Sequence, residues 1–221
     1  MESVLPSAVR DVLAAAGPAA SPVQREMEAQ AEETGFPVVG PEVGAVLRLL
    51  TRAVAAERVF EFGSGFGYSA TWFAQAIPED GLVVLTEVDE GELEEARDYF
   101  EAADLAGRAA FEHGDAFEVF DRYDGPFDVV LLDSEKARYP EAIDPIRAKL
   151  STGGLLIADN ALAGPHSPEE VAAGFEDGPA GPHAEQVAGV VEYLGRMRED
   201  PGFETVLLPL GEGIAVSRHT G

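Results

Sequence analysis

Five short apolar runs alternate with stretches of helical spacing along this chain, and that alternation limits the fold more than any other feature. The apolar runs cover 58–62, 82–88, 109–113, 127–132 and 155–158. Helical spacing is read over 69–77, 90–104, 139–150 and 183–199. Strands that are mostly apolar need cover on both faces, which is the pattern of a parallel sheet with helices on either side. Two further strands, at 203–208 and 213–217, are joined by Pro209-Leu210-Gly211-Glu212. That link is too short for a parallel crossover, so the two should run antiparallel. Ahead of the first strand, 23–34 reads as a polar-faced helix ended by Gly35 and Pro37. A second helix is expected at 41–56, with Val43, Val46, Leu47, Leu50 and Val54 as its apolar stripe. No internal repeat and no second core are visible. The expectation is one domain over 1–221, with a helical cap at 1–56 and an α/β core at 57–221. Within that core, 161–182 holds eight glycines and prolines in 22 residues and is expected to be a loop: a lid, a binding loop or a mobile segment.

Open α/β sheets take ligands beyond the carboxyl ends of their strands. After the first strand stands Glu61-Phe62-Gly63-Ser64-Gly65-Phe66-Gly67-Tyr68-Ser69. Its glycines let the backbone turn sharply and approach a ligand closely. The dinucleotide fingerprint needs its third glycine where Tyr68 stands, so a nicotinamide cofactor is disfavoured. The pattern suits a nucleoside ligand without a pyrophosphate; a plain strand-to-helix turn is the alternative. After the second strand, Glu87 lies 24 residues past Gly63, where a carboxylate can accept from ribose hydroxyls, although Glu87 and Asp89 are also two acids among many. After the third comes Asp115, able to accept from an adenine amino group.

The fourth strand ends in Asp133-Ser134-Glu135-Lys136 and the fifth in Asp159-Asn160. Asp133, Asp159 and Asn160 would meet at neighbouring strand tips. Three oxygen donors suit a hard cation such as Mg²⁺. Lys136 lies three residues from Asp133. Lysine, unlike arginine, can give up its proton where the surroundings allow, as a general base requires. A surface lysine among loop acids is the bland alternative.

Composition narrows the partners. Of 15 cationic residues 13 are arginine, leaving only Lys136 and Lys149 as lysines, against 41 acids and a net charge of −26. So negative a field disfavours nucleic acid and anionic membranes. Solvation in high salt, as in a halophile, and ordinary acidity both account for it. With no cysteine there is no disulfide framework, thiolate metal site or cysteine nucleophile. No secretory signal or membrane-spanning run is visible, so a soluble cytoplasmic protein is expected.

The motifs together resemble the metal-dependent class I S-adenosylmethionine O-methyltransferases, the group of catechol and caffeoyl-CoA O-methyltransferases. The resemblance runs from about Val23 to Ser217. It rests on GFPVVGPE at 35–42, EFGSGFGYS at 61–69, TEVD at 86–89, GDA at 114–116, LLDSEKARY at 131–139, ADN at 158–160 and LPLGEGIAVSR at 208–218. It implies a Rossmann-like, doubly wound, seven-stranded sheet of order 3-2-1-4-5-7-6. It implies that Glu61, Gly63 and Ser69, with the backbone near Val39 and Ser64, cradle the methionine part of the cofactor. Glu87 would hold the ribose, and Asp115 and Ala116 the adenine edge. Asp133 would serve both the metal and the cofactor's amino group. Asp159 and Asn160 would complete the site for Mg²⁺ or another divalent cation, and Lys136 would be the base. A homodimer is also implied.

One departure concerns the methyl acceptor, expected to be a catechol-like or vicinal-diol small molecule. Residues 161–166 read Ala-Leu-Ala-Gly-Pro-His, without the family's frequent aromatic residue, and Gly164 stands where some relatives have asparagine. His166 is either an acceptor contact or a plain loop histidine. Two other readings stay open: a metal-independent methyltransferase with a different acceptor, and a non-catalytic module that holds S-adenosylmethionine or S-adenosylhomocysteine.

Overall fold

A computed structural model describes residues 4–221. Among them, in chain order, are α1 (Ser7–Ala16), α2 (Pro22–Thr34), α3 (Gly40–Ala53), β1 (Arg58–Phe62), α4 (Tyr68–Ala74), β2 (Leu82–Glu87), α5 (Glu90–Ala102), β3 (Ala109–His113), α6 (Ala116–Arg122), β4 (Phe127–Leu132), α7 (Tyr139–Lys149), β5 (Leu150–Ala158), α8 (Pro168–Glu176), α9 (Ala184–Glu199), β6 (Phe203–Leu208) and β7 (Ile214–His219). The seven strands form one sheet of order β3-β2-β1-β4-β5-β7-β6. β1 to β5 are parallel where they pair, whereas β7 runs antiparallel to both β5 and β6. Both the expected order and the expected hairpin are therefore present.

Alternate residues of each central strand feed opposite faces. Phe60, Phe62, Val130, Leu132 and Leu156 pack with α6, α7 and α9 side chains such as Phe120, Ile143 and Tyr193. Val59, Val83, Val129, Leu131 and Ile157 pack on the other face with Leu47, Phe73 and Phe100. A third, smaller cluster joins Met27 and Ala31 of α2 to Phe66, Tyr68 and Trp72, so the N-terminal helices lean on the glycine-rich turn.

The α2 start is clear in its chemistry: Ser21 and Gln24 form a capping box around Pro22, and Gly35 ends the helix in a left-handed conformation. Four helices differ from expectation. α1 is absent from the sequence expectation, and it buries no residue. α6 is only seven residues long. α8 lies inside the stretch expected to be a loop. Its start is another capping box, Ser167 with Glu170, masked by the surrounding glycine and proline. α3 stops at Ala53, short of the expected 56, where Ala55 turns left-handed at φ 52°. Among the described residues no helix is long and apolar enough to cross a membrane.

Candidate active site

The carboxyl ends of β1 to β5 open into a cavity of about 810 Å³. Its walls include Val39, Gly63, Glu87, Asp115, Asp133 and Asn160, one from each motif that follows or precedes a strand. The expected site residues are thus brought to one place, with Glu61 buried immediately behind the wall.

The glycine-rich turn is shaped by close approach. Gly63 has φ +80°, and a Cβ there would stand 2.6 Å from the Asp133 carbonyl oxygen. Gly65 has φ +48°, and a Cβ there would press to 2.7 Å from the Phe36 ring. Only glycine suits both positions. Glu61 is fully buried; Ser69 Oγ donates to its Oε1, while Oε2 has no partner. Burial pushes the Glu61 carboxyl up to about 8, against the pull of the Ser69 hydroxyl. An unpartnered buried carboxylate oxygen is costly unless a cation or donor reaches it. Ser64 differs from expectation in detail: its N–H and its hydroxyl both donate to the Thr86 carbonyl, at 2.9 and 3.2 Å, so they turn away from a ligand.

Glu87 is held by three backbone donors. Gly65 N–H reaches its Oε2 at 2.9 Å, and the N–H groups of Val88 and Asp89 reach Oε1 at 2.7 and 3.1 Å. Three of its roughly four acceptor sites are thereby engaged, which fixes the carboxylate and leaves an Oε2 lone pair free. Asp115 caps α6, accepting from Phe117 N–H at 2.9 Å, and its second oxygen takes Arg138 Nη1 at 2.5 Å. Burial raises the Asp115 pKa, but the arginine and the cap outweigh it and hold the group below its usual value. Ala116 opens α6 and lines the cavity beside it.

The last constellation follows from strand register. β4 and β5 pair Leu132 with Ala158, so Asp133 and Asp159 are the next residues on adjacent strands. Their backbones continue the ladder: Asp133 N–H donates to Phe62 O at 2.9 Å and Asp159 N–H to Leu132 O at 3.0 Å. The buried Tyr139 hydroxyl lies 3.0 Å from Leu132 O and 3.2 Å from Asp159 O, tying the two tips together. Lys136 Nζ donates to Asp133 Oδ1 at 3.0 Å. Asp159 is 5% exposed and its Oδ1 has no partner. Burial, then the neighbouring Asp133, pushes Asp159 up to about 8. Asp133 is also raised by burial, with Lys136 opposing.

Asn160 adopts a left-handed φ of 53° and its Nδ2 donates to Glu212 Oε2. Gly164 makes room for that side chain: a Cβ at 164 would stand 3.0 Å from Asn160 Nδ2. Two carboxylates and one amide make an all-oxygen donor set suited to a hard cation, and the orphaned Asp159 oxygen fits that use. Among the described residues no group of three or more His, Cys, Asp or Glu side chains is arranged to hold a metal.

Sequence reasoning left several lining residues unremarked. Arg138 lies inside the LLDSEKARY motif, and Glu212 inside LPLGEGIAVSR, but neither announces its partner. His166 is buried at 3% exposure and is not part of the cavity wall, and burial lowers its pKa.

The sequence pattern of the O-methyltransferase family matches residues 23–220. A provisionally named O-methyltransferase of Mycobacterium sp. (strain KMS) is 30% identical over 188 residues, covering 84% of this chain and 80% of its own. A methyltransferase from Geobacter sulfurreducens superposes over 100% of both chains with TM-score 0.81 at 24% identity. The O-methyltransferase TomG from Streptomyces achromogenes, solved with S-adenosylmethionine, has TM-score 0.82 at 23% identity over 97% of this chain and 96% of its own. An O-methyltransferase from Bacillus cereus, solved with S-adenosylhomocysteine, has TM-score 0.82 at 21% identity over 96% of this chain and 97% of its own. At such identities the structural likenesses show a shared fold.

Proposed function

The chain belongs to the O-methyltransferase family, and from that membership we propose that it moves a methyl group from S-adenosylmethionine to a hydroxyl of a small catechol-like or vicinal-diol acceptor. The observation that carries the reading is the Asp133 corner. The Asp133 backbone lies against the Gly63 turn, its carboxylate takes Lys136, and Asp159 follows the register partner of Leu132 on the next strand, so in this reading one residue serves cofactor, base and metal together.

The cofactor supplies an electrophilic methyl on a sulfonium, and transfer by in-line displacement depends mainly on alignment. In this reading Glu61, with its orphaned oxygen, and Asp133 receive the cationic amino end, and Gly63 lets the backbone approach it. Glu87 accepts from the ribose, and Asp115 and Ala116 border the adenine. The backbone near Val39 closes the methionine end. A divalent cation such as Mg²⁺, held by Asp133, Asp159 and Asn160, would act as a Lewis acid on the acceptor's hydroxyls. Lys136 would then receive the hydroxyl proton at Nζ as general base. The orphaned Asp159 oxygen supports a cation there.

A second reading is transfer without a metal, which the Lys136–Asp133 contact would support by itself. In that case Lys136 and Asp133 act alone on the acceptor.

Titration calorimetry with S-adenosylmethionine and with NAD separates the cofactor classes. The reading expects heat only with the first. Tight NAD binding, or none by S-adenosylmethionine, overturns it. A panel of catechols, vicinal diols and simple phenols then identifies the acceptor, and turnover restricted to single phenols would remove the chelating role.

A further inference from the structure

In the sheet order β3-β2-β1-β4, the segments after β3 and β4 start three strand positions apart, roughly 14 Å at the usual spacing. Arg138, after β4, nevertheless touches Asp115, after β3, at 2.5 Å. It is held from three sides. Its Nε and Nη2 face Glu141 at 3.1 and 3.3 Å, and its guanidinium lies 3.9 Å from the centre of the Phe117 ring. Asp115, Ala116, Phe117 and Arg138 all line the cavity.

We propose that Arg138 is a positioning residue for the cofactor's adenine amino group, fixing Asp115 as its acceptor. This rests on the cofactor reading above and goes beyond it. The argument is geometric. The α6 cap fixes one Asp115 oxygen, and Arg138 fixes the other. A carboxylate held at both oxygens cannot rotate, so its remaining lone pairs keep one direction. The arginine over Phe117 holds the adjoining wall in place. Without the guanidinium, Asp115 has only its cap and can turn toward water. The amino group, a donor, then loses its preferred acceptor.

The discriminating probe is S-inosylhomocysteine, in which oxygen replaces the purine amino group. It presents an acceptor to Asp115 where S-adenosylhomocysteine presents a donor. Calorimetry on the wild-type chain should show S-adenosylhomocysteine preferred by about tenfold or more, the scale of one hydrogen bond to a charged group. Arg138→Gln should cut that ratio below about threefold, because the amide cannot hold the second Asp115 oxygen as the guanidinium does. Asp115→Asn should abolish it, since its amide can donate to the oxygen. A merely structural arginine would weaken both ligands alike and leave the ratio intact. A wild-type ratio in Arg138→Gln overturns the proposal, as does equal binding of both ligands by wild type. If Arg138→Gln does not fold, an unchanged ratio in Asp115→Asn overturns it equally. Failure of the wild-type chain to bind S-adenosylhomocysteine at all overturns the cofactor reading itself, and is a distinct result.

Discussion

Lys136 Nζ lies 3.0 Å from Asp133 Oδ1, and the lysine side chain is only 12% exposed. The lysine is thus anchored at the mouth of β4 beside the acid expected to face both cofactor and metal. Removing it should separate chemistry from binding. Lys136→Ala is predicted to lose at least about a hundredfold in kcat, the scale of general-base catalysis. Its affinity for S-adenosylhomocysteine should stay within about threefold of wild type. Single-turnover kinetics beside calorimetry check this, and unchanged kcat removes Lys136 as the base.

The Lys136 turn is itself seated on α9. A Cβ on Gly189 would stand 2.1 Å from the Lys136 carbonyl oxygen, a backbone atom that cannot step aside alone. At an exposed helix position Gly→Ala would add about 1 kcal/mol of stability, but Gly189 is buried in α9. Here Gly189→Ala is predicted to lose about 1–3 kcal/mol instead, by overpacking, and to lower kcat as Lys136 moves. Urea unfolding measures the first effect; a stabilised variant contradicts the packing.

Glu61 gives a pH signature. Its carboxyl is pushed up to about 8 by burial, against 4.5 when unfolded. Between those values the folded chain binds the extra proton, so this group's contribution to stability falls as pH rises through the window and levels off above it. Glu61→Gln keeps an acceptor for Ser69 and removes the titration. Its melting temperature is predicted to gain on wild type steadily from pH 5 to pH 8. Parallel curves contradict the assignment.

The net charge of −26 exceeds what a site needs. Glu61, Glu87, Asp115, Asp133 and Asp159 have places around the cavity, which leaves 36 of the 41 acids. Self-repulsion among them is relieved by screening. Melting temperature is predicted to rise from dilute buffer to molar KCl, and a steady fall across that range contradicts a high-salt surface.

Much of this is legible in the sequence because the central strands are mostly apolar and run into polar or glycine-rich motifs. Leu132 to Asp133 and Ala158 to Asp159 mark both strand tips without ambiguity. Register then places the acids side by side, a consequence of pairing that local pattern only suggests. Lys136 with Asp133 is a contact between residues three apart and could be anticipated. Arg138 with Asp115 and Asn160 with Glu212 could not, since they join segments 23 and 52 residues apart whose meeting depends on the whole sheet. α8 is hidden in the sequence for a different reason. The capping box of Ser167 and Glu170 signals a helix start, but the density of glycine and proline around it outweighed that signal. Ser64 shows the same limit at atomic scale: the motif puts it at the turn, while only the fold decides that it bonds inward to Thr86.

The most direct test is methyl transfer itself. The chain, stripped with EDTA, is mixed with methyl-labelled S-adenosylmethionine and a catechol, and labelled product is counted before and after Mg²⁺ is restored. The account predicts no product above background in EDTA, full turnover with Mg²⁺, and no recovery in Asp159→Asn. Turnover that persists undiminished in EDTA would contradict the metal's part in the account, and no transfer to any hydroxyl acceptor under either condition would contradict its centre.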